Sequence, residues 1–208
     1  MLGAHLTAEA YLQRLHSELT QIDPSAMRQL ADWIYQAYEQ GNTVYFFGNG
    51  GSATTATHMS EDLGKSSLRE EDLHDENRKR LRVMSLTDNV GWMLAIANDL
   101  DYDQIFVQQL MNFGQPGDLA VGISGSGNSG NVLNAIDWAN RHGLKTFGFT
   151  GFNGGKLKQM AHGCLHCPLD DMGMVESLHL AVYHWVLNDV FARINGEGRY
   201  QTMRKMAA

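Results

Sequence analysis

"TVYFFGNGGSATTATHMSEDLGK", residues 43–65, passes from an apolar run through glycine and serine into a stretch with helical spacing. Thr43–Phe47 reads as a buried strand, because aromatic and β-branched residues crowd a short run that glycine ends. "GNGGSA" (48–53) suits a tight strand-to-helix turn, and a helix over Ala53–Leu63 follows. Small residues there let backbone amides approach an anion, and the helix dipole favours negative charge at that point. With Ser52 opening the helix, His58 and Asp62 stand at i and i+4 on one face, and Glu61 points aside.

Working outward, the same unit recurs. Strands are predicted at Arg82–Leu86, Leu119–Ile123, Thr146–Thr150 and Cys164–Pro168. Helices are predicted at Val90–Asn98, Tyr102–Phe113, Val132–His142, Lys156–Ala161 and about Val175–Ile194. Strands alternating with helices predict right-handed crossovers and a parallel sheet covered on both faces, a three-layer α/β sandwich of five strands. Two helical patterns precede it, "LTAEAYLQRLHSEL" (6–19) and "SAMRQLADWIYQAYEQ" (25–40), the second with Ser25 as N-cap and Gly41 past its end. The organisation is therefore one domain over 1–208, with a helical segment at 1–41 and an α/β core at 42–196. "REEDLHDENRKRLR" (69–82) reads as a solvated mixed-charge loop, with a lid over the site as the alternative.

A second glycine-serine loop, "GISGSGNSGN" (122–131), follows the third strand. Ligands of parallel sheets bind beyond the carboxyl ends of the strands, so both loops belong on that edge. Ser52, Ser124, Ser126 and Ser129 add hydroxyl donors. "GSGNSG" matches a dinucleotide fingerprint in letters, but no acid stands at the end of the next strand to hold a ribose. No Walker A loop occurs either, since Gly64-Lys65-Ser66 has Met59 where the first glycine of that motif belongs, so a phosphate monoester is favoured and no nucleotide cofactor is expected.

The bulk numbers agree. A chain of 208 residues, 43% hydrophobic and 19% charged, suits one soluble domain. Its net charge of −7 speaks against nucleic acid or anionic membrane as a general partner. No basic-then-apolar leader and no membrane-length apolar run occur, so a cytoplasmic location is expected. The two cysteines, Cys164 and Cys167, lie near His162 and His166, but no second pair completes a structural zinc site.

The last helix carries "ESLHLAVYH" (176–184), with Glu176 and His184 on roughly one face, about 12 Å apart at ~1.5 Å per residue. Two imidazoles and two carboxylates in two pairs admit a divalent ion, acid–base work on a sugar, or structural hydrogen bonding.

The combination of "GNGGSATTATHMSED", "GISGSGNSGNV" and "ESLHLAVYH" resembles the sugar isomerase (SIS) domain of the phosphoheptose isomerase family, from about Tyr11 to Ile194. The resemblance implies a flavodoxin-like sandwich in a cytoplasmic homotetramer with sites between subunits. It implies conversion of sedoheptulose 7-phosphate to D-glycero-D-manno-heptose 7-phosphate on the way to nucleotide-activated heptose. It assigns Asn49, Gly50, Gly51, Ser52, Asp88 and Glu176 to the sugar phosphate and Ser124, Ser126 and Ser129 to its phosphate group. It assigns His58, Asp62, Glu176 and His184 to a Zn²⁺ site, with Asp62, His184 and Glu176 as the acid–base groups. Two departures stand out: the family usually has glutamate where this chain has Asp62, and glutamine where it has Glu176. Position 125 is glycine where threonine is frequent. The alternative is a non-catalytic SIS protein that binds a phosphosugar, or the replication initiator protein.

Overall fold

The computed structural model describes residues 2–201. Five parallel strands, β1 (Thr43–Gly48), β2 (Arg82–Ser85), β3 (Leu119–Ser124), β4 (Lys145–Thr150) and β5 (Gly163–His166), form one sheet in the order β2-β1-β3-β4-β5. The helices are α1 (Ala8–Leu19), α2 (Pro24–Gln40), α3 (Gly51–Lys65), α4 (Val90–Asp99), α5 (Val107–Phe113), α6 (Gly130–Arg141), α7 (Leu157–Met160) and α8 (Met172–Asn195). The three layers follow from strand alternation. Val44 and Phe46 face one core with Leu30, Ile34, Met59 and Val186 from α2, α3 and α8. Tyr45 and Phe47 face the other, with Ile96, Leu110, Val132 and Leu157 from α4 to α7.

Two expectations need correction. The N-cap of α2 is Asp23, whose carboxylate accepts from the Ser25 amide at 2.8 Å, with Pro24 at the first helical position. Proline lacks the amide that a first-turn residue leaves unpaired, so it starts the helix instead of breaking it. Tyr102–Phe113 is not one helix: a 3₁₀ turn at Tyr102–Gln104 precedes α5. Asp101 caps that turn by accepting from the Asp103 amide.

The stretch 69–82 does not cover the crevice of its own chain. It joins the end of α3 to the start of β2, at the amino edge of the sheet. There Arg69 pairs with Glu197 at 2.7 Å, and Lys79 donates to the Glu39 carbonyl at 2.9 Å. No helix among the described residues is long and apolar enough to cross a membrane.

Candidate active site

In the order 2-1-3-4-5 the chain leaves β1 toward β2 and returns on the other side as β3. The crevice between β1 and β3 is therefore the switch point where such sheets take ligands. The two glycine-serine loops flank it. Gly50, the N-cap of α3, has φ 56° and ψ −124°, in the left-handed region that favours glycine. The loops and the first turn of α8 enclose a cavity of about 270 Å³, lined by Asn49, Gly50, Gly51, Ser52, Ser124, Ser126, Ser129, Met172 and Glu176. Ser124 Oγ lies 3.0 Å from Ser129 Oγ and 3.5 Å from Ser126 Oγ. These hydroxyls can turn their protons from one another to an anion. Met172 takes up the space beside Gly125 that a larger side chain would need.

The loops are locked together by a reciprocal amide pair. Asn49 Nδ2 donates to Asn131 Oδ1, and Asn131 Nδ2 to Asn49 Oδ1, both at 2.9 Å. The Tyr102 hydroxyl adds a bond to Asn49 Oδ1 at 3.0 Å. Asn131 and Tyr102 were missed in the sequence, where each reads as a helix-start or turn residue. Asp88 does not line the serine cavity. It sits exposed beyond β2, accepting from Thr57 Oγ1 at 2.5 Å.

Two turns further along α3 is a second constellation. His58, Asp62 and His184 each offer a ligand atom, all within 4.8 Å of one another. His58 Nε2 lies 3.2 Å from Asp62 Oδ2. His184 Nδ1 lies 2.9 Å from the Leu180 carbonyl. A carbonyl only accepts, so Nδ1 carries the proton and Nε2 keeps a lone pair for a proton or a metal. The Tyr183 phenol donates to Asp62 Oδ2 at 3.0 Å. Burial first, and the Asp62 carboxylate next, push that phenol far above its ordinary range, so it stays a donor. Tyr183 was also missed, because its partner lies on another helix.

Glu176 stands apart from the other expected ligands. It does not join the trio; its carboxylate overlies Gly51, where even a Cβ would come within 2.5 Å of both oxygens. Sharing a helical face with His184 did not overcome the rise between them, about 12 Å. Glu61 is exposed, so of the two neighbouring acids Asp62 is the one in the trio. His179 turns inward, its Nε2 3.3 Å from the Thr150 carbonyl. Burial lowers its pKa to about 4, so it is a neutral core residue.

The Cys164–Cys167 stretch holds no metal cluster among the described residues. Burial pushes Cys167 up to about 12 and raises Cys164 as well, so neither is a ready thiolate. His166 and His162 are each engaged by a β4 threonine, Thr150 and Thr146.

Comparison with known proteins places these features in company. A SIS domain family model matches residues 9–151. A phosphoheptose isomerase of Akkermansia muciniphila is 36% identical over 82% of this chain and 86% of its own. One from Rhodospirillum rubrum is also 36% identical, over 76% of this chain and 81% of its own. The solved phosphoheptose isomerase of Neisseria gonorrhoeae superposes with a TM-score of 0.79 at 27% identity, covering 91% of this chain and 96% of that one.

Proposed function

The chain belongs to the SIS-domain family and, within it, to the phosphoheptose isomerases, and from this we propose that it interconverts a ketose phosphate and an aldose phosphate. The substrate pair is sedoheptulose 7-phosphate and D-glycero-D-manno-heptose 7-phosphate, in the formation of nucleotide-activated heptose. The observation that carries this reading is the pairing of a hydroxyl-lined anion cradle with a carboxylate–imidazole trio farther along the same two helices. Glu176 in the cradle and His184 in the trio are about 12 Å apart along α8. An extended seven-carbon chain with its phosphate spans about 10 Å, given ~1.5 Å per carbon–carbon bond. A heptose phosphate is thus about 2 Å shorter than that rise, a gap for the side chains to close if its carbonyl end is to meet the trio while its phosphate stays with Ser124, Ser126 and Ser129.

In this reading Asp62 moves a proton between C1 and C2 through a cis-enediol. His184 Nε2 gives a proton to, or takes one from, the neighbouring oxygen. Asp62 takes precedence over Glu176 as the base because Glu176 lies with the phosphate-binding serines. Phosphate binding far from the reacting carbons positions them for transfer. The trio also fits Zn²⁺: two imidazoles and a carboxylate on one side, with His184 exposed and room for a further ligand, is an open catalytic donor set. His58, Asp62 and His184 would hold the ion, and when bound it would polarise the sugar carbonyl.

A cytoplasmic homotetramer with sites between subunits completes the reading. The support for oligomerisation is α1, which has no fully buried residue and leaves Leu12 64% exposed. Segment 1–41 is proposed as the oligomerisation element.

The test incubates the protein with sedoheptulose 7-phosphate and follows the aldose phosphate by NMR, with Zn²⁺ and with EDTA. Product is expected with Zn²⁺ and lost with EDTA. Asp62→Asn is expected to abolish turnover and leave phosphosugar binding intact. Unchanged turnover in that variant removes Asp62 from the role of base.

A further inference from the structure

We propose that Tyr183 is the positioning residue that holds the His58–Asp62–His184 trio in its working arrangement. The inference rests on the isomerase reading and adds to it a residue that does not itself meet the substrate.

Tyr183 touches every member of the trio. Its hydroxyl donates to Asp62 Oδ2 at 3.0 Å. Its ring meets His58 edge-on, centroids 5.8 Å apart, and packs against His184 at 5.2 Å. The two imidazoles in turn meet edge-on at 5.2 Å. The tyrosine itself is fully buried, so its place is set by packing between α3 and α8. The three working groups, by contrast, are partly or fully exposed.

The hydrogen bonds divide the carboxylate's two oxygens. Oδ2 faces both the Tyr183 hydroxyl and His58 Nε2. Oδ1 meets no protein donor among the described residues. An aspartate held through one oxygen by a donor on its own helix and another on a facing helix cannot rotate freely. Its second oxygen is left in a fixed direction for a proton or an ion. Without the phenol the carboxylate would keep only the half-buried His58. Misplacement by about 1 Å can cost on the order of a hundredfold in rate. Loss of a group orienting a metal ligand typically costs about 10–100-fold in affinity.

Tyr183→Phe keeps the ring and deletes only the donor. We expect kcat to fall about tenfold or more while KM for sedoheptulose 7-phosphate stays within about twofold, since the phosphate cradle lies some 12 Å away. Zn²⁺ affinity of the metal-free protein, read by competition with a chromophoric chelator, should weaken about tenfold. In an Asp62→Ala background, which removes the acceptor, the same change should leave Zn²⁺ affinity unaltered, because a residue acting through Asp62 has nothing left to hold. Unchanged kcat and unchanged Zn²⁺ affinity in Tyr183→Phe overturn the proposal. So does a further loss of affinity in the double variant, which assigns the effect to general packing. Failure of the isomerase reading would look different: the unmodified protein would show no turnover, yet the chelator measurement would still report on Tyr183.

Discussion

Glu176 is a carboxylate side chain in a cavity whose other polar groups are serine hydroxyls, the Asn49 amide and loop backbone. On the proposed reading, a substrate phosphate entering that cavity would meet like charge, so the protein's own carboxylate would oppose phosphosugar binding there. Glu176→Gln is expected to lower KM about tenfold, equivalent to about 1.4 kcal/mol, with kcat little changed. Steady-state kinetics at low salt measures it, and a collapse of kcat would instead return Glu176 to the acid–base machinery. At this scale the sequence was informative wherever chemistry is local. His58 and Asp62 were paired by their i, i+4 spacing, and the serines by their place in the loops. Tyr183 and Asp62 are 121 positions apart, and no spacing rule connects them. Glu176 and His184 share a helical face, and the rise of about 12 Å between them, countable in the sequence, is what separates them along α8.

At the scale of elements, α3 and α8 are the two struts of the site, each carrying cradle residues near its start, with His58 and Asp62 farther along α3 and His184 farther along α8. All five strands lie where alternation of apolar runs and turns predicts them, with ends shifted by a residue or two. The buried run of β1 made that possible, since no helix of six residues is bounded so sharply by glycine. Helix starts were less legible. Asp23 and Ser25 are both good caps, and only the structure shows that the Ser25 hydroxyl is itself a donor to Asp23, at 2.6 Å. Asp23→Ala should therefore cost about 1 kcal/mol in a urea titration, and Ser25→Ala a few tenths, roughly the range for lost caps against exposed first-turn substitutions. Equal losses would mean that the two side chains cap jointly. The division of 102–113 was hidden for a related reason: helical periodicity continues across the 3₁₀ turn, and the Asp101 cap that creates it resembles any loop acid.

Across the whole molecule, stability should carry an acid-sensitive component set by His179. Its folded pKa of about 4 lies below its ordinary 6.5, so as pH falls the unfolded chain takes up the proton first. The contribution is complete above about pH 6.5 and is lost between there and pH 4, by up to about 3 kcal/mol. His179→Gln keeps a donor for the Thr150 carbonyl and removes the titration. Urea unfolding at pH 7 and pH 5 should show a smaller drop in the variant than in the parent. An equal drop would place the acid sensitivity elsewhere.

The reciprocal pair of Asn49 and Asn131 has a consequence for how such a molecule can change over generations. Each amide satisfies the other across the two loops that frame the crevice. Replacing Asn49 leaves the Nδ2 of the buried Asn131 without its acceptor, at a cost of about 1–3 kcal/mol, whereas replacing Asn131 leaves the half-buried Asn49 with the Tyr102 hydroxyl. Asn49 is thus open to exchange only in step with Asn131. Descendant sequences that lose Asn49 should lose Asn131 as well, and an aligned set of relatives can be read for that correlation directly.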